Sequence, residues 1–208
     1  MAFTRIICNH MVKHEDPEIV AMLQEMNLHG MDWQGGTDKG TDHKYTETYA
    51  RLLNPLRDQA INMLEIGVWH GGSAALWCRY LPKAKFMFMD IANNIKPKAE
   101  QLIDSDRCTF HFADAYTNDS VEAVREAFPD GLDFAVDDGP HTLVSMCEFL
   151  RLYAPLMKPG GVMVIEDIQD ASWFNGLERF APEGSTCERW NASADTGRWD
   201  DIMLIVKI

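Results

Sequence analysis

Short apolar runs alternate with longer amphipathic stretches over most of the chain, the pattern of strands and crossover helices in a parallel sheet. The runs are INMLEIG (61–67), AKFMFMD (84–90), CTFHFAD (108–114), LDFAVDD (132–138) and GVMVIED (161–167). Between them, segments 72–80, 96–103, 118–127 and 142–156 read as helices from their apolar spacing. Four of the five runs end in an acidic residue, and the first carries Glu65 near its end. Ligands of open α/β sheets bind beyond the carboxyl ends of the strands, so these acids are expected to converge on one rim.

The two ends of the chain have a different texture. A helical stretch from Pro17 to Leu28 gives way to HGMDWQGGTDKGTDHKYTETY (29–49), which reads as a long loop of the kind that covers a site. Helical spacing resumes from Tyr45 to about Leu53 and stops at Asn54-Pro55. Residues 186–192 and 200–208 read as two strands joined by the turn-like SADTGR (193–198), a terminal hairpin. The pattern divides the chain into an N-terminal helix and cap segment, 1–44, and one α/β domain, 45–208.

Composition narrows the class. The 208 residues are 46% hydrophobic and 25% charged, as in ordinary globular domains. No apolar run approaches the roughly 18–20 residues that cross a bilayer, and MAFTRIICNHMVKHED has His and acids where a signal peptide needs apolar residues. A cytoplasmic protein without membrane attachment is expected. Nineteen basic against thirty-two acidic side chains give a net charge of −13, and Lys83, Lys85, Lys96 and Lys98 form no patch, so nucleic acid is not an expected partner. The five cysteines are scattered without a CxxC, which signals neither a disulfide framework nor a zinc site.

The sharpest local signal is LEIGVWHGGS (64–73) between a strand and a helix. Its glycines allow a tight turn, and the helix that follows offers N–H groups to an anion. The order is G-x-W-x-G-G, without the middle glycine of the nicotinamide fingerprint. Asp90, ending the second run, is placed to hold ribose hydroxyls, or else to cap the next helix. Asp114 faces an adenine amino group or caps the helix near Asn118. Asp137, Asp138, Glu166 and Asp167 form two acid pairs on adjacent strand ends, where like charges repel unless a cation intervenes. An oxygen set of this hardness suits Mg²⁺ or a similar divalent ion, and helix capping is the other reading of these acids.

Taken together, GTDKGTDHKYTETYARLLNPLR, INMLEIGVWHGGS, FMFMDI, DFAVDDGPH, MKPGG and VIEDI resemble class I S-adenosylmethionine-dependent methyltransferases. The likeness is to metal-dependent sugar and natural-product O-methyltransferases of the mycinamicin and macrocin type, and it runs from about Gly36 to Ile208. It implies a Rossmann-like, mostly parallel seven-stranded sheet with an antiparallel last strand and helices on both faces. It also implies a lid formed by GTDK, with Thr37, Lys39 and Tyr45 at the methionine end of S-adenosylmethionine, or simply a surface loop and helix cap. The rest of the implied cofactor site is Glu65, Gly67, Gly71, Gly72 and Ser73 on the first turn, Asp90 and Ile91, Asp114 and Ala115, and Asp137.

The resemblance further implies a metal on Asp137, Glu166 and Asp167, with Asp138 capping the loop or holding a neighbour. His141 is then the general base, with Asp137 as its catalytic companion, and Pro140 stands where relatives often carry Ser. His43 and His70 are expected to border the pocket. The expected activity is transfer of a methyl group to a hydroxyl of a sugar, glycoside or secondary metabolite. The other readings are a methyltransferase for a different small molecule and a cofactor-binding module without activity. A base methylase does not fit, since the chain has neither an N/D-P-P-Y run nor a Pro-Cys nucleophile. The acceptor and the oligomeric state stay open, a homo-oligomer included.

Overall fold

A computed structural model describes the backbone of residues 6 and 7, and residues 15–31 and 33–208. The apolar runs become strands of one sheet: β1 (Ile6–Ile7), β2 (Asn62–Ile66), β3 (Lys85–Asp90), β4 (Cys108–Phe112), β5 (Leu132–Asp137), β6 (Met157–Ile165), β7 (Thr186–Asn191) and β8 (Ile202–Lys207). Their spatial order is β1-β7-β8-β6-β5-β2-β3-β4. β8 runs antiparallel to β6 and β7, and every other pairing is parallel. The seven-stranded arrangement expected from the sequence is present, and the two-residue β1 extends it along the outer edge of β7.

Helices cover both faces: α1 (Pro17–Glu25), α2 (Thr46–Leu53), α3 (Gly72–Tyr80), α4 (Pro97–Glu100), α5 (Asn118–Ala127), α6 (Leu143–Tyr153), α7 (Phe174–Leu177) and α8 (Ser193–Thr196). Local chemistry fixes their ends. Asp16 caps α1 by accepting from the N–H groups of Glu18 and Ile19, and Thr142 with Ser145 closes a capping box on α6. That box starts α6 just after His141, which confines the DDGPH turn between a strand end and a helix cap. Pro155 ends α6 in a single 3₁₀ turn over 154–156.

Several boundaries differ from the sequence pattern. The helix expected over 96–103 is only the single turn of α4, because Asp104 folds the chain back by accepting from the Asp106 N–H and from Arg107. β6 begins at Met157, ahead of the apolar run, because Met157 pairs with Leu132 of β5 across a register shift, and Gly160 and Gly161 bond to Ile208 on the other side. α7, in a segment without clear periodicity, was not foreseen.

Strand alternation builds the two halves of the core. Met63, Phe86, Phe88, Phe134 and Val164 face a layer holding Leu23 of α1, Tyr49 of α2 and Trp77 of α3. Leu64, Met87, Met89, Ala135 and Ile165 face the other layer, with Val124, Met146, Phe149 and Leu177. Ile19 and Leu23 are wholly buried, so α1 packs into the same core as the sheet. Among the described residues no helix is long and apolar enough to cross a membrane.

The connections from β2 and β5 leave on opposite faces, so a crevice opens between their carboxyl ends. Gly67 makes that junction. Its φ is +89°, and a Cβ there would lie 1.8 Å from the carbonyl oxygen of Asp138. Replacing Gly67 with Ala is expected to cost about 2–4 kcal/mol in urea unfolding, combining left-handed strain with a backbone collision. Gly197→Ala, at φ +76° with open space around it, is expected to cost only about 1 kcal/mol. Equal losses at the two positions would contradict the junction role of Gly67.

Candidate active site

The crevice is a cavity of about 710 Å³ at the carboxyl ends of β2 to β6, within the range of small-molecule sites. Gly67, Asp90, Ile91, Asp114 and Ala115 line it from the β2, β3 and β4 side. Asp138, His141, Glu166 and Asp167 line it from the β5 and β6 side, and Asp38 and His43 of the 29–49 segment reach the same space. Three of the four described non-glycine residues with positive φ lie here: Trp69, His141 and Asp167, at +47°, +53° and +52°. Clustered strain of this kind is characteristic of functional sites.

The first turn is braced by Asp90. Its Oδ2 accepts from the N–H groups of Val68 at 3.0 Å and Trp69 at 2.8 Å, and Oδ1 accepts from Ala92 at 3.3 Å. Asp90 therefore shapes the turn as well as facing the cavity. Asp114 accepts from the Tyr116 N–H at 2.9 Å, while the cap of α5 is Thr117. Gly72 does not line the cavity but packs against the cap segment. A Cβ on Gly72 would meet the Gly36 carbonyl at 2.4 Å, so its bare backbone receives the GGTDK segment. Gly71, at the start of α3, and Ser73 do not line the cavity either.

The acids at the rim are held by groups from residues 37–49. Lys39, almost fully buried, donates to Asp138 Oδ2 at 2.6 Å and Glu166 Oε2 at 2.5 Å. Tyr49 donates to the other Glu166 oxygen and Tyr45 to Asp167. His43 Nδ1 lies 2.7 Å from the buried Asp201 and 3.5 Å from Asp167, and Arg198 donates to His43 Nε2 at 3.1 Å. Thr37 is pinned by backbone hydrogen bonds to Leu28 and Gly30. Thr37, Lys39 and Tyr45, expected at the methionine end of a cofactor, are thus buried beneath the cavity wall, where Lys39 and Tyr45 bind its acids.

Charge follows from this packing. Burial opposes the ammonium of Lys39, yet the neighbouring Asp138, Glu166 and Glu65 charges hold its pKa well above the ordinary value. Burial pushes Asp138 up as well, but Lys39 and His141 pull it below the carboxylate range. Burial raises Glu166 well above that range and Asp167 to about 6. One ammonium does not neutralise this set.

The groups that converge on the cavity are not the same three acids expected to hold a metal. Asp137 is buried, lines no part of the cavity and accepts from the Tyr116 hydroxyl at 2.5 Å. Glu166 lines the cavity, but its oxygens are engaged by Lys39 and Tyr49. The atoms that converge are one oxygen each of Asp138 and Asp167 and one nitrogen of His141, all within 4.8 Å of one another. His141 Nε2 stands 3.1 Å from Asp138 Oδ1 and 3.7 Å from Asp167 Oδ2. Burial lowers the pKa of His141, but the hydrogen bond and charge of Asp138 raise it above the ordinary value. The donor set fits a divalent cation: two hard carboxylates in a site with excess negative charge. His43 borders the cavity as expected, whereas His70 is buried and stacks on Trp69, with ring centroids 4.9 Å apart.

Glu65 is wholly buried under the first turn and does not reach the cavity. Neither of its carboxylate oxygens has a hydrogen-bond partner among the described residues; Ser73 and Trp77 stand beside it. Burial lifts its pKa from 4.5 to about 7, with the Asp138 charge adding to the rise and Lys39 opposing it. The native state thus holds this proton more tightly than the unfolded chain. The stabilisation is complete below about pH 4.5 and is lost as pH rises towards 7, an expected change of about 3 kcal/mol. Glu65→Gln should remove that share of the pH slope in urea unfolding between pH 4.5 and 7.5. It should leave the share of Asp137 and Asp167, each raised to about 6 by burial. An unchanged slope would show that Glu65 is ionised in the native protein.

Comparisons with known proteins identify the family and the fold. The chain is 29% identical over 156 residues to an 8-demethyl-8-alpha-L-rhamnosyl tetracenomycin-C 2'-O-methyltransferase of Streptomyces olivaceus, covering 70% of this chain and 39% of that protein. It is 30% identical over 142 residues to the mycinamicin VI 2''-O-methyltransferase of Micromonospora griseorubida, covering 63% and 33%. The chain therefore spans about two fifths or less of these relatives. The fold matches the MycE methyltransferase of the mycinamycin pathway, solved with Mg and SAH, at a TM-score of 0.60 and 23% identity over 79% of this chain and 40% of that one. It matches an O-methyltransferase from Bacillus cereus, solved with SAH, at 0.61 and 16% identity over 92% and 89%. A family model described as a methyltransferase domain matches residues 64–168, from the strand before the first turn to the acids that end β6, and the chain belongs to that family.

Proposed function

We propose that the chain transfers a methyl group from S-adenosylmethionine to a hydroxyl of a sugar, glycoside or related secondary metabolite, with a divalent cation in the site. The observation that carries this reading is the Asp138, His141 and Asp167 cluster opening into the same cavity as Asp90 and Asp114. The relatives' names support the acceptor class, since they are O-methyltransferases of a rhamnosyl tetracenomycin and of mycinamicin VI.

In this reading Asp90 and Asp114 receive the ribose and adenine of the cofactor, with Ile91 and Ala115 against the flat base. S-adenosylmethionine would supply a methyl group on a sulfonium, and a divalent cation would supply Lewis-acid polarisation of the acceptor hydroxyl. Asp138 and Asp167 would hold that cation, with Glu166 beside them. His141, whose Nε2 is hydrogen-bonded to Asp138, would accept the hydroxyl proton at its other ring nitrogen as the oxygen attacks the methyl carbon. Asp138 orients the imidazole, and the strained turn fixes its place. Asp137 acts from below, through Tyr116. Lys39, Tyr45 and Tyr49 keep the acids in position and exclude water from the floor of the site. The chain's contribution is mainly alignment and electrostatics.

The test is methyl transfer from labelled S-adenosylmethionine to a panel of hydroxylated glycosides with Mg²⁺, beside calorimetry with SAH. Wild type is expected to bind SAH and to transfer label. His141→Ala should lower turnover by about 10²–10⁴-fold with SAH affinity unchanged, and Asp90→Ala should weaken SAH instead. Asp138→Asn should abolish any effect of Mg²⁺ on thermal stability, whereas Asp137→Asn should preserve it. SAH binding without transfer to any acceptor would favour a binding module, and no SAH binding would overturn the proposal.

A further inference from the structure

The cysteine spacing carries no motif, yet the fold brings two thiols together. Cys78 lies on the last turn of α3 and Cys108 opens β4, thirty residues later, and their sulfurs are 3.2 Å apart. A disulfide needs about 2.05 Å between sulfurs, so roughly 1 Å of side-chain adjustment separates the pair from a bond. Their backbones are already fixed against each other. Arg107, the residue before Cys108, donates to the carbonyls of Cys78 at 2.8 Å and of Leu81 and Ala84 at 3.0 Å. Its guanidinium thus ties the end of α3 to the start of β4.

The surroundings favour reaction at Cys78. The hydrogen bond from Cys108 lowers the Cys78 thiol, burial opposes it, and Arg107 helps while Asp104 resists. Cys108 is half-buried on the edge strand, which gives a small oxidant a route to the pair. Neither residue lines the cavity. Both lie at the end of the sheet away from the acids, so the pair is independent of the methyl-transfer reading.

We propose that Cys78 and Cys108 are a redox-sensitive pair that closes to a disulfide when hydroperoxides are present. The Cys78 thiolate attacks the terminal peroxide oxygen; the O–O bond breaks, hydroxide leaves from hydrogen peroxide or alkoxide from an organic hydroperoxide, and Cys78 becomes a sulfenic acid. The Cys108 sulfur then attacks the Cys78 sulfur, forming the S–S bond as the S–O bond breaks. The Cys108 proton and the departing hydroxyl leave as water. Two electrons pass from the two sulfurs to the peroxide. The product staples α3, whose N-terminus starts at the glycine turn, to edge strand β4, and encloses β3 with Asp90 in the closed loop.

The test uses the full chain with hydrogen peroxide as the probe. After oxidation, thiol titration in denaturant should find two fewer free thiols than the five of the sequence. Peptide mapping should find Cys78 joined to Cys108, and dithiothreitol should reverse the link. The oxidised form should melt at higher temperature, because the cross-link restricts the unfolded chain. Cys78→Ser and Cys108→Ser should each remove the linked peptide. A retained pair of free thiols, or Cys108 carried to sulfinic acid without any linked peptide, would overturn the proposal.

Discussion

Everything at the functional end of this molecule depends on burying several carboxylates at one sheet rim. Isolated buried charges are too costly to persist, so each acid needs a donor, a cation or its own proton. Lys39 supplies the cation by reaching Asp138 and Glu166 together. Tyr45, Tyr49 and His43 supply further hydrogen-bonding groups from the same stretch of chain. The segment that covers the rim is thus folded by the charge it covers. Gly72 allows that segment to approach, since nothing larger than hydrogen fits against Gly36.

The sheet makes such a concentration of charge unavoidable. Parallel strands bring all their carboxyl ends to one side, and the opposed connections from β2 and β5 leave a crevice there. Strand alternation then decides which acid does what. Glu65 continues the Met63 face and Glu166 the Val164 face, so both turn towards the layer of Tyr49 and Trp77. Asp137 continues the Ala135 face and is taken by Tyr116. Asp138 and Asp167, just past the strand ends, are the ones left to meet His141 over the cavity.

Much of this was legible in the sequence. The runs around Leu64, Phe88 and Phe134 marked their strands because burial on both faces demands near-continuous apolar residues. The stretches 72–80 and 118–127 matched α3 and α5 to the residue. The placement of Asp90 and His141 at the cavity and the convergence of acids were also readable, because strand ends share one rim. The different placements of Asp137 and Asp138 have a physical reason: two adjacent acids differ by one step of the pleat, and that step reverses the side chain, so Asp138 lines the cavity and Asp137 does not. Counting parity from Ala135 would have separated them. Lys39, Tyr45 and Tyr49 could not be placed, because their partners lie 99 to 127 residues away. The Cys78 and Cys108 contact was hidden in the same way, by thirty intervening residues.

The central claim is that Lys39 and the rim acids stabilise one another. A double-mutant cycle of Lys39→Met and Glu166→Gln, followed by urea unfolding in the presence of a chelator, tests it most directly. Lys39→Met alone should cost about 3–5 kcal/mol, because it leaves buried carboxylates without their cation. Adding Glu166→Gln should recover part of that loss, giving a coupling of at least about 1 kcal/mol. A loss below about 1 kcal/mol for Lys39→Met, or strict additivity of the two changes, would contradict the account.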